Sequence, residues 1–195
     1  EKGLNPGNSL WFWGAGTKPS LDSFEEKFHK KGAMISAVDL LKGIAVGTSM
    51  KNIYVEGANG GLDTNYEGKA DAALKALLED GCDFVYVHVE APDEMGHQGS
   101  IEKKIKAIEY LDQRVVDRIK EGMDASGENY RMLVLPDHPT PICVKTHTSD
   151  PVPYVLYDSR NKEEKGGFCY NEAEAQKTGK LLEKGHELIW HLLEE

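Results

Sequence analysis

Residues 83–97 read DFVYVHVEAPDEMGH, and the first half of that stretch decides the fold. DFVYVHV is rich in β-branched and aromatic residues and runs straight into the turn residues Ala91-Pro92-Asp93, so Asp83–Val89 is expected as a buried strand. On its C-terminal side, Ile101, Ile105, Ile108, Leu111, Val115, Ile119 and Met123 recur at three- and four-residue steps. That single apolar stripe predicts a helix over Ile101–Met123. Arg131–Leu135 reads as the next strand, stopped by Pro136, and Val152–Tyr157 as another, held by prolines at both sides. A last helix is expected over Glu172–Leu193, with Leu181, Leu182, Leu188, Ile189, Leu192 and Leu193 buried.

The same alternation extends upstream. Asn65–Glu79 is expected as a helix with Ala70, Ala73, Leu74, Leu77 and Leu78 on one face, behind a Gly/Asn-rich loop, Gly57–Asp63. Before it lie a strand at Asn52–Glu56, a short helix at Val38–Val46, and a strand at Ala33–Ala37. A helix is expected at Ser20–Lys31, and an aromatic-rich strand at Leu10–Gly14. Strands alternating with helices predict the α/β class: a mostly parallel sheet with helices on both faces. The loop at 57–61 lacks the GK[ST] ending of a phosphate loop, and GxGxxG is absent, so no nucleotide-binding signature is present.

The chain has 195 residues, a length that suits one domain with a sizeable core. Its net charge of -10 excludes a nucleic-acid backbone as partner, which needs a basic face. A small phosphorylated substrate is not excluded, because bound cations supply local positive charge. No apolar run is long enough to span a bilayer. The polar start, EKGLNPGNS, carries neither a signal peptide nor an initiator Met, so a piece of a longer protein is expected. Cys82, Cys143 and Cys169 are odd in number and widely spaced, which fits reduced thiols and a cytoplasmic location.

Chemistry collects at the strand ends, where open α/β sheets bind ligands. Asp93 and His97 follow the strand at 83–89, Asp137 and His138 follow the strand at 131–135, and His147 lies on the loop before the strand at 152. Carboxylate oxygens and imidazole nitrogens suit zinc, manganese or iron, and magnesium where oxygens dominate. Five such residues are enough for more than one metal. Each element alone is a weak signal: an Asp-x-x-x-His is common, and an Asp-His pair after a strand can be a helix cap. Their coincidence at three strand ends carries the reading. A loop from Pro92 through Gly96 would aim Asp93 and His97 at one ion. His29, His186 and His191 lie on helical stretches without partner motifs and read as surface or structural. His88 reads as a hydrogen-bonded core histidine. Lys18, Arg131 and Lys145 read as solvated charge.

The stretches VHVEAPDEMGHQG (87–99), LPDHPTP (135–141) and THTSDPVPY (146–154) closely resemble the archaeal-type cofactor-independent phosphoglycerate mutases of the alkaline phosphatase superfamily. NSLWFWGAG (8–16), KGAMISAVDLLKGIAVGTSM (31–50) and VEGANGGLDTNYEGKADAAL (55–74) resemble the same family, so the likeness covers nearly the whole chain in order. The resemblance implies an alkaline phosphatase-like core and two divalent metal ions, with Mn²⁺ first and Mg²⁺, Zn²⁺ or Co²⁺ as alternatives. Asp93, His97 and His147 would hold one ion; Asp137 and His138 would belong to the other.

The family's remaining metal Asp and its phosphorylatable Ser lie upstream of an inserted domain, and neither motif is in this sequence. By the resemblance, 1–195 is the C-terminal part of the metal-binding domain, with no catalytic nucleophile of its own. The implied reaction interconverts 3-phosphoglycerate and 2-phosphoglycerate through a phosphoserine. Ser36, Ser49 and Ser100 read as structural, so the isolated piece is expected to be inactive. Rival expectations are another superfamily enzyme (phosphatase, phosphopentomutase, phosphodiesterase or the proposed homoserine kinases) and a noncatalytic metal-binding domain.

Overall fold

The computed structural model describes residues 3, 7–10, 12, 15–161 and 168–194. The strand expected over 10–14 falls largely outside them. From Ala15 onward the order is α1 (Phe24–Phe28), β1 (Gly32–Ile35), α2 (Asp39–Gly47), β2 (Lys51–Ile53), α3 (Tyr66–Leu78) and β3 (Phe84–Val87). Then come α4 (Ala91–His97), α5 (Ile101–Leu111), a π-helical turn (Asp112–Val116), α6 (Asp117–Ser126), β4 (Arg131–Val134) and β5 (Val155–Asp158). The chain closes with α7 (Glu172–Lys177), a 3₁₀ turn (Gly185–Glu187) and α8 (Leu188–Leu193).

β1 is central and pairs in parallel with β2 on one side and β3 on the other. Parallel pairing puts the C-terminal ends of all three strands at one edge, which is where Ser36, the loop Gly57–Asp63 and the segment after Val87 emerge. The β1–β3 pairing continues beyond the strands: His88 N donates to Ile35 O at 2.8 Å, and Ser36 Oγ lies 3.3 Å from His88 Nδ1. His88 is therefore a hydrogen-bonded histidine of the sheet edge, and burial pushes its pKa down while Asp137 pulls it up. β4 and β5 form a separate antiparallel pair, with Arg131 opposite Asp158. The α/β arrangement, parallel sheet and flanking helices, is the one the sequence pattern predicts; the last strand runs antiparallel because β5 returns directly beside β4.

Three apolar clusters hold the elements together. Phe24, Met34, Ala45 and Met50 pack on one side of the sheet, with Phe24 stacked on Phe84 at 5.0 Å. Ile35, Val55 and Ala73 join the sheet to α3. Tyr66, Ala70, Ala91, Met95, Ala107 and Val115 bind α3, α4, α5 and the π turn into one body. Alanines recur at these positions because helix backbones approach closely there. The π turn presents Arg114 to both rings, 4.7 Å from the Tyr66 and Tyr110 centroids, and its guanidinium grips Glu67 at 2.6 and 2.8 Å.

Four local expectations give way. The apolar stripe does not face the core along α5, where Ile101, Ile105 and Ile108 are exposed and Ala107 is buried. The segment after Pro92 is a helix rather than a loop, because Pro at the first turn is preset for helix and lacks an amide that would be left unpaired. The helix expected over 172–193 breaks into α7 and α8, where Gly179 adopts φ +66° and Leu181 is left exposed. Only Phe24–Phe28 of the expected 20–31 helix forms, and it ends at His29 in the left-handed region (φ 54°).

Candidate metal centre

Asp93 and His97 stand one turn apart on α4, so they share a face of the helix. α4 leaves the sheet at the C-terminal end of β3, and Gly99 (φ +70°) turns the chain sharply into α5. The third contributor comes from far along the chain. Between Pro139 and Thr148 the backbone folds on itself: Lys145 N donates to Pro141 O at 2.8 Å and Thr148 N to Pro139 O at 3.1 Å. This closure brings the His138 and His147 rings together, 3.7 Å between centroids and tilted by 32°, and delivers His147 to α4.

There His97 Nε2 lies 3.1 Å from His147 Nε2 and 3.3 Å from Asp93 Oδ2, while His147 Nε2 lies 3.4 Å from Asp93 Oδ1. Ligand atoms about 2.1 Å from one ion, at octahedral or tetrahedral angles, stand roughly 3.0–3.4 Å apart. The spacing of the triad matches that requirement. The orientation does too: His97 Nδ1 is 3.0 Å from the Lys145 carbonyl, a contact that works only with the proton on Nδ1. That assigns the tautomer and leaves the Nε2 lone pair facing the other two groups. Asp93, His97 and His147 thus form a triad whose donors converge within 4.8 Å and fit a divalent ion.

A protein-family model described as the metalloenzyme superfamily matches residues 1–192. The chain belongs to the metalloenzyme superfamily.

Its curated relatives include the 2,3-bisphosphoglycerate-independent phosphoglycerate mutase of Methanosarcina acetivorans, 52% identical over 99% of this chain and 48% of the relative. A probable enzyme of the same description from Geobacter sulfurreducens is 51% identical over 100% of this chain and 48% of the relative. The chain therefore spans about half the length of the relatives it matches. Among solved structures, a Pyrococcus horikoshii protein superposes with TM-score 0.75 at 28% identity, covering 88% of this chain and 50% of that one. A cofactor-independent phosphoglycerate mutase from Thermoplasma acidophilum shares the fold, with TM-score 0.60 at 22% identity over 90% of this chain and 39% of that one.

In this superfamily member, Asp137 and His138 lie beside the triad without joining it. His138 Nε2 is 3.5 Å from Asp137 Oδ2, and Asp137 Oδ1 accepts from the His138 amide at 3.1 Å. His29, His186 and His191 are exposed, as expected of surface groups. Arg131 pairs with Asp158 at 2.9 Å, and Lys145 contributes its carbonyl to His97 rather than its charge.

Some groups at the site carry no motif in the sequence. Thr140, 4% exposed, donates its hydroxyl to Asp93 Oδ1, and Lys104 Nζ donates to the Thr140 carbonyl at 2.6 Å. Lys69 is fully buried on the apolar face of α3 and donates to the His88 carbonyl at 3.0 Å. Burial lowers the Lys69 pKa and Glu90 opposes the shift; burial raises the Glu90 carboxyl and Lys69 opposes it. A lysine in phase with Tyr66, Ala70 and Ala73 is the one of these that periodicity could have exposed.

Proposed function

We propose that this chain carries the C-terminal, metal-binding part of a cofactor-independent phosphoglycerate mutase, with the phosphate-accepting Ser supplied from outside these 195 residues. The observation that carries the reading is the convergence of Asp93, His97 and His147. Support for the particular reaction comes from relatives about half identical over nearly the whole chain. Asp93, His97 and His147 would hold one divalent ion and Asp137 with His138 would contribute to a second, Mn²⁺ being the first candidate for both.

Bound there, the metal supplies concentrated positive charge that neutralises phosphoryl oxygens and favours ionisation of an attacking hydroxyl. The protein's own part is placement. α4 and the closed loop 139–148 hold the ligands in register, and the Lys145 carbonyl fixes the His97 proton on Nδ1. With a net charge of -10, the chain leaves the phosphate of a small sugar acid to be bound by metal rather than by a basic surface. The phosphoryl group would pass from the 3-hydroxyl of phosphoglycerate to the Ser and return to the 2-hydroxyl. The three cysteines are unpaired, which supports a reducing, cytoplasmic setting. No helix among the described residues is long and apolar enough to cross a membrane.

Conversion of 3-phosphoglycerate to 2-phosphoglycerate by the whole protein that bears this sequence, loaded with Mn²⁺, tests the reading. Turnover that is lost on His97→Ala is expected. Absence of mutase turnover, together with hydrolysis of other phosphate esters in a substrate screen, would replace it with a different activity of the superfamily. The 195-residue chain by itself is expected to bind metal without turning over.

A further inference from the structure

The Thr140 hydroxyl stands between the two groups of metal-site residues. It donates its proton to Asp93 Oδ1 and lies 3.4 Å from His138 Nδ1. A hydroxyl has one proton. Once that proton is committed to the carboxylate, the oxygen can only accept from His138, which calls for the His138 proton on Nδ1. Nε2 is left as a lone pair 3.5 Å from Asp137 Oδ2, two acceptors that an ion between them would satisfy. We propose that Thr140 is a positioning residue for this metal centre: through one hydroxyl it fixes the Asp93 carboxylate in the triad and holds His138 as the tautomer whose Nε2 lone pair is free for an ion. The inference rests on the metal reading of the site.

The rest of the geometry serves this arrangement. Thr140 is held between Pro139 and Pro141, which restrict the backbone on both sides. Lys104 of α5 binds its carbonyl at 2.6 Å. Gly96 of α4 lies directly beneath: a Cβ there would come within 2.6 Å of the Thr140 carbonyl oxygen and 2.9 Å of Lys104 Nζ. Only a residue without a side chain lets the loop come this close to α4. Asp93 Oδ1, with one lone pair engaged by Thr140, keeps its remaining acceptor capacity toward His147, and Oδ2 faces His97. A carboxylate free to rotate would lose that division of labour.

The test compares Thr140→Val, which keeps the shape and removes the hydroxyl, with Thr140→Ser, which keeps the hydroxyl. Mn²⁺ affinity is measured by calorimetry, and the His138 tautomer by long-range ¹H–¹⁵N correlation in metal-free protein. Thr140→Val is expected to weaken Mn²⁺ about 10–100-fold, with Thr140→Ser within about threefold of wild type. His138 should be protonated on Nδ1 in the wild type and in Thr140→Ser, and lose that preference in Thr140→Val. Unchanged Mn²⁺ affinity in Thr140→Val, failure of Thr140→Ser to restore it, or a wild-type His138 protonated on Nε2 would each overturn the proposal. A wild type that binds no Mn²⁺ would instead overturn the metal reading, while the metal-free tautomer still decides the role of Thr140 toward His138. Lys104→Met, which leaves the hydroxyl in place but loosens its backbone, provides a second handle and is expected to weaken Mn²⁺ less than Thr140→Val.

Discussion

His97 Nε2 and His147 Nε2 face each other at 3.1 Å across 50 residues of chain. Two imidazole nitrogens so close need a hydrogen or a cation between them, since two bare lone pairs repel: either His147 donates its N–H to His97, or both bind one ion. With Asp93 beside both, a divalent ion meets the demand of all three groups. His97→Ala removes one ligand from a half-exposed position and leaves the core untouched. Mn²⁺ at about 100 times its Kd should stabilise the wild type by about 2.7 kcal/mol, roughly 5–10 °C in Tm. The variant should melt close to metal-free wild type and show almost no shift on adding Mn²⁺. Calorimetric scans with and without the ion make the comparison.

Gly96 gives a second measurement on the same centre. An added methyl would meet the Thr140 carbonyl oxygen at 2.6 Å, a backbone atom that cannot swing away like a side-chain end. Gly96→Ala should therefore push the loop 139–148 off α4. Overpacking of this kind costs about 1–3 kcal/mol, and urea denaturation should show it. Mn²⁺ affinity should fall as well, because His147 moves with the loop. Stability lost with Mn²⁺ affinity intact would show that the loop's seating on α4 does not position the ligand.

The contrast between what the sequence reveals and what it hides follows from the range of the interactions. β3 and the helical run of α5 are written in local periodicity, although the α5 part of the stripe is not the buried face: Ile101, Ile105 and Ile108 are exposed and Ala107 is buried. The five candidate ligands fall where strands end. α4 is harder to read, since Pro92 and Gly96 both signal a loop in isolation, although Pro in the first turn also starts a helix. The break after α7 is hidden for a related reason: Leu181 and Leu182 fit a helical stripe, yet the positive φ of Gly179 ends the run. Thr140 and Lys104 act through hydrogen bonds spanning 47 and 36 residues. No local pattern encodes such contacts; they exist only once α4, α5 and the loop are packed.

Lys69 and Glu90 predict a coupled pair behind the site. Lys69 is fully buried, and Glu90 Oε2 is buried with no hydrogen-bond partner among the described residues. Removing a charge from a fully buried pair costs about 3–5 kcal/mol because its partner is left stranded. Glu90 is only half-buried, so Lys69→Met should cost less, about 2 kcal/mol. Pairing it with Glu90→Gln should recover part of the loss, since the stranded carboxylate is then gone. A double-mutant cycle in urea reads the coupling; strictly additive losses would mean that the two charges do not sense each other.

Asp158 sets a pH dependence at the β4–β5 pair. Arg160 and Arg131 both bond its carboxylate and hold its pKa well below the usual range. The unfolded chain lacks these partners, so its Asp158 takes up a proton at a higher pH than the folded form does. The stabilisation from Asp158 is thus fully present above the ordinary carboxylate pKa and is lost as pH falls below it toward the depressed folded value. Asp158→Asn should lower the urea midpoint at pH 7, and the gap to wild type should narrow steadily once the pH drops below about 4. Because Arg131 stands directly opposite Asp158 in the ladder, the variant should also loosen the strand that leads into Asp137 and His138. Faster amide exchange at Met132 and Val134 would register that loosening. A stability gap that stays constant from pH 7 to pH 3 would show that the arginines do not hold the Asp158 charge in solution.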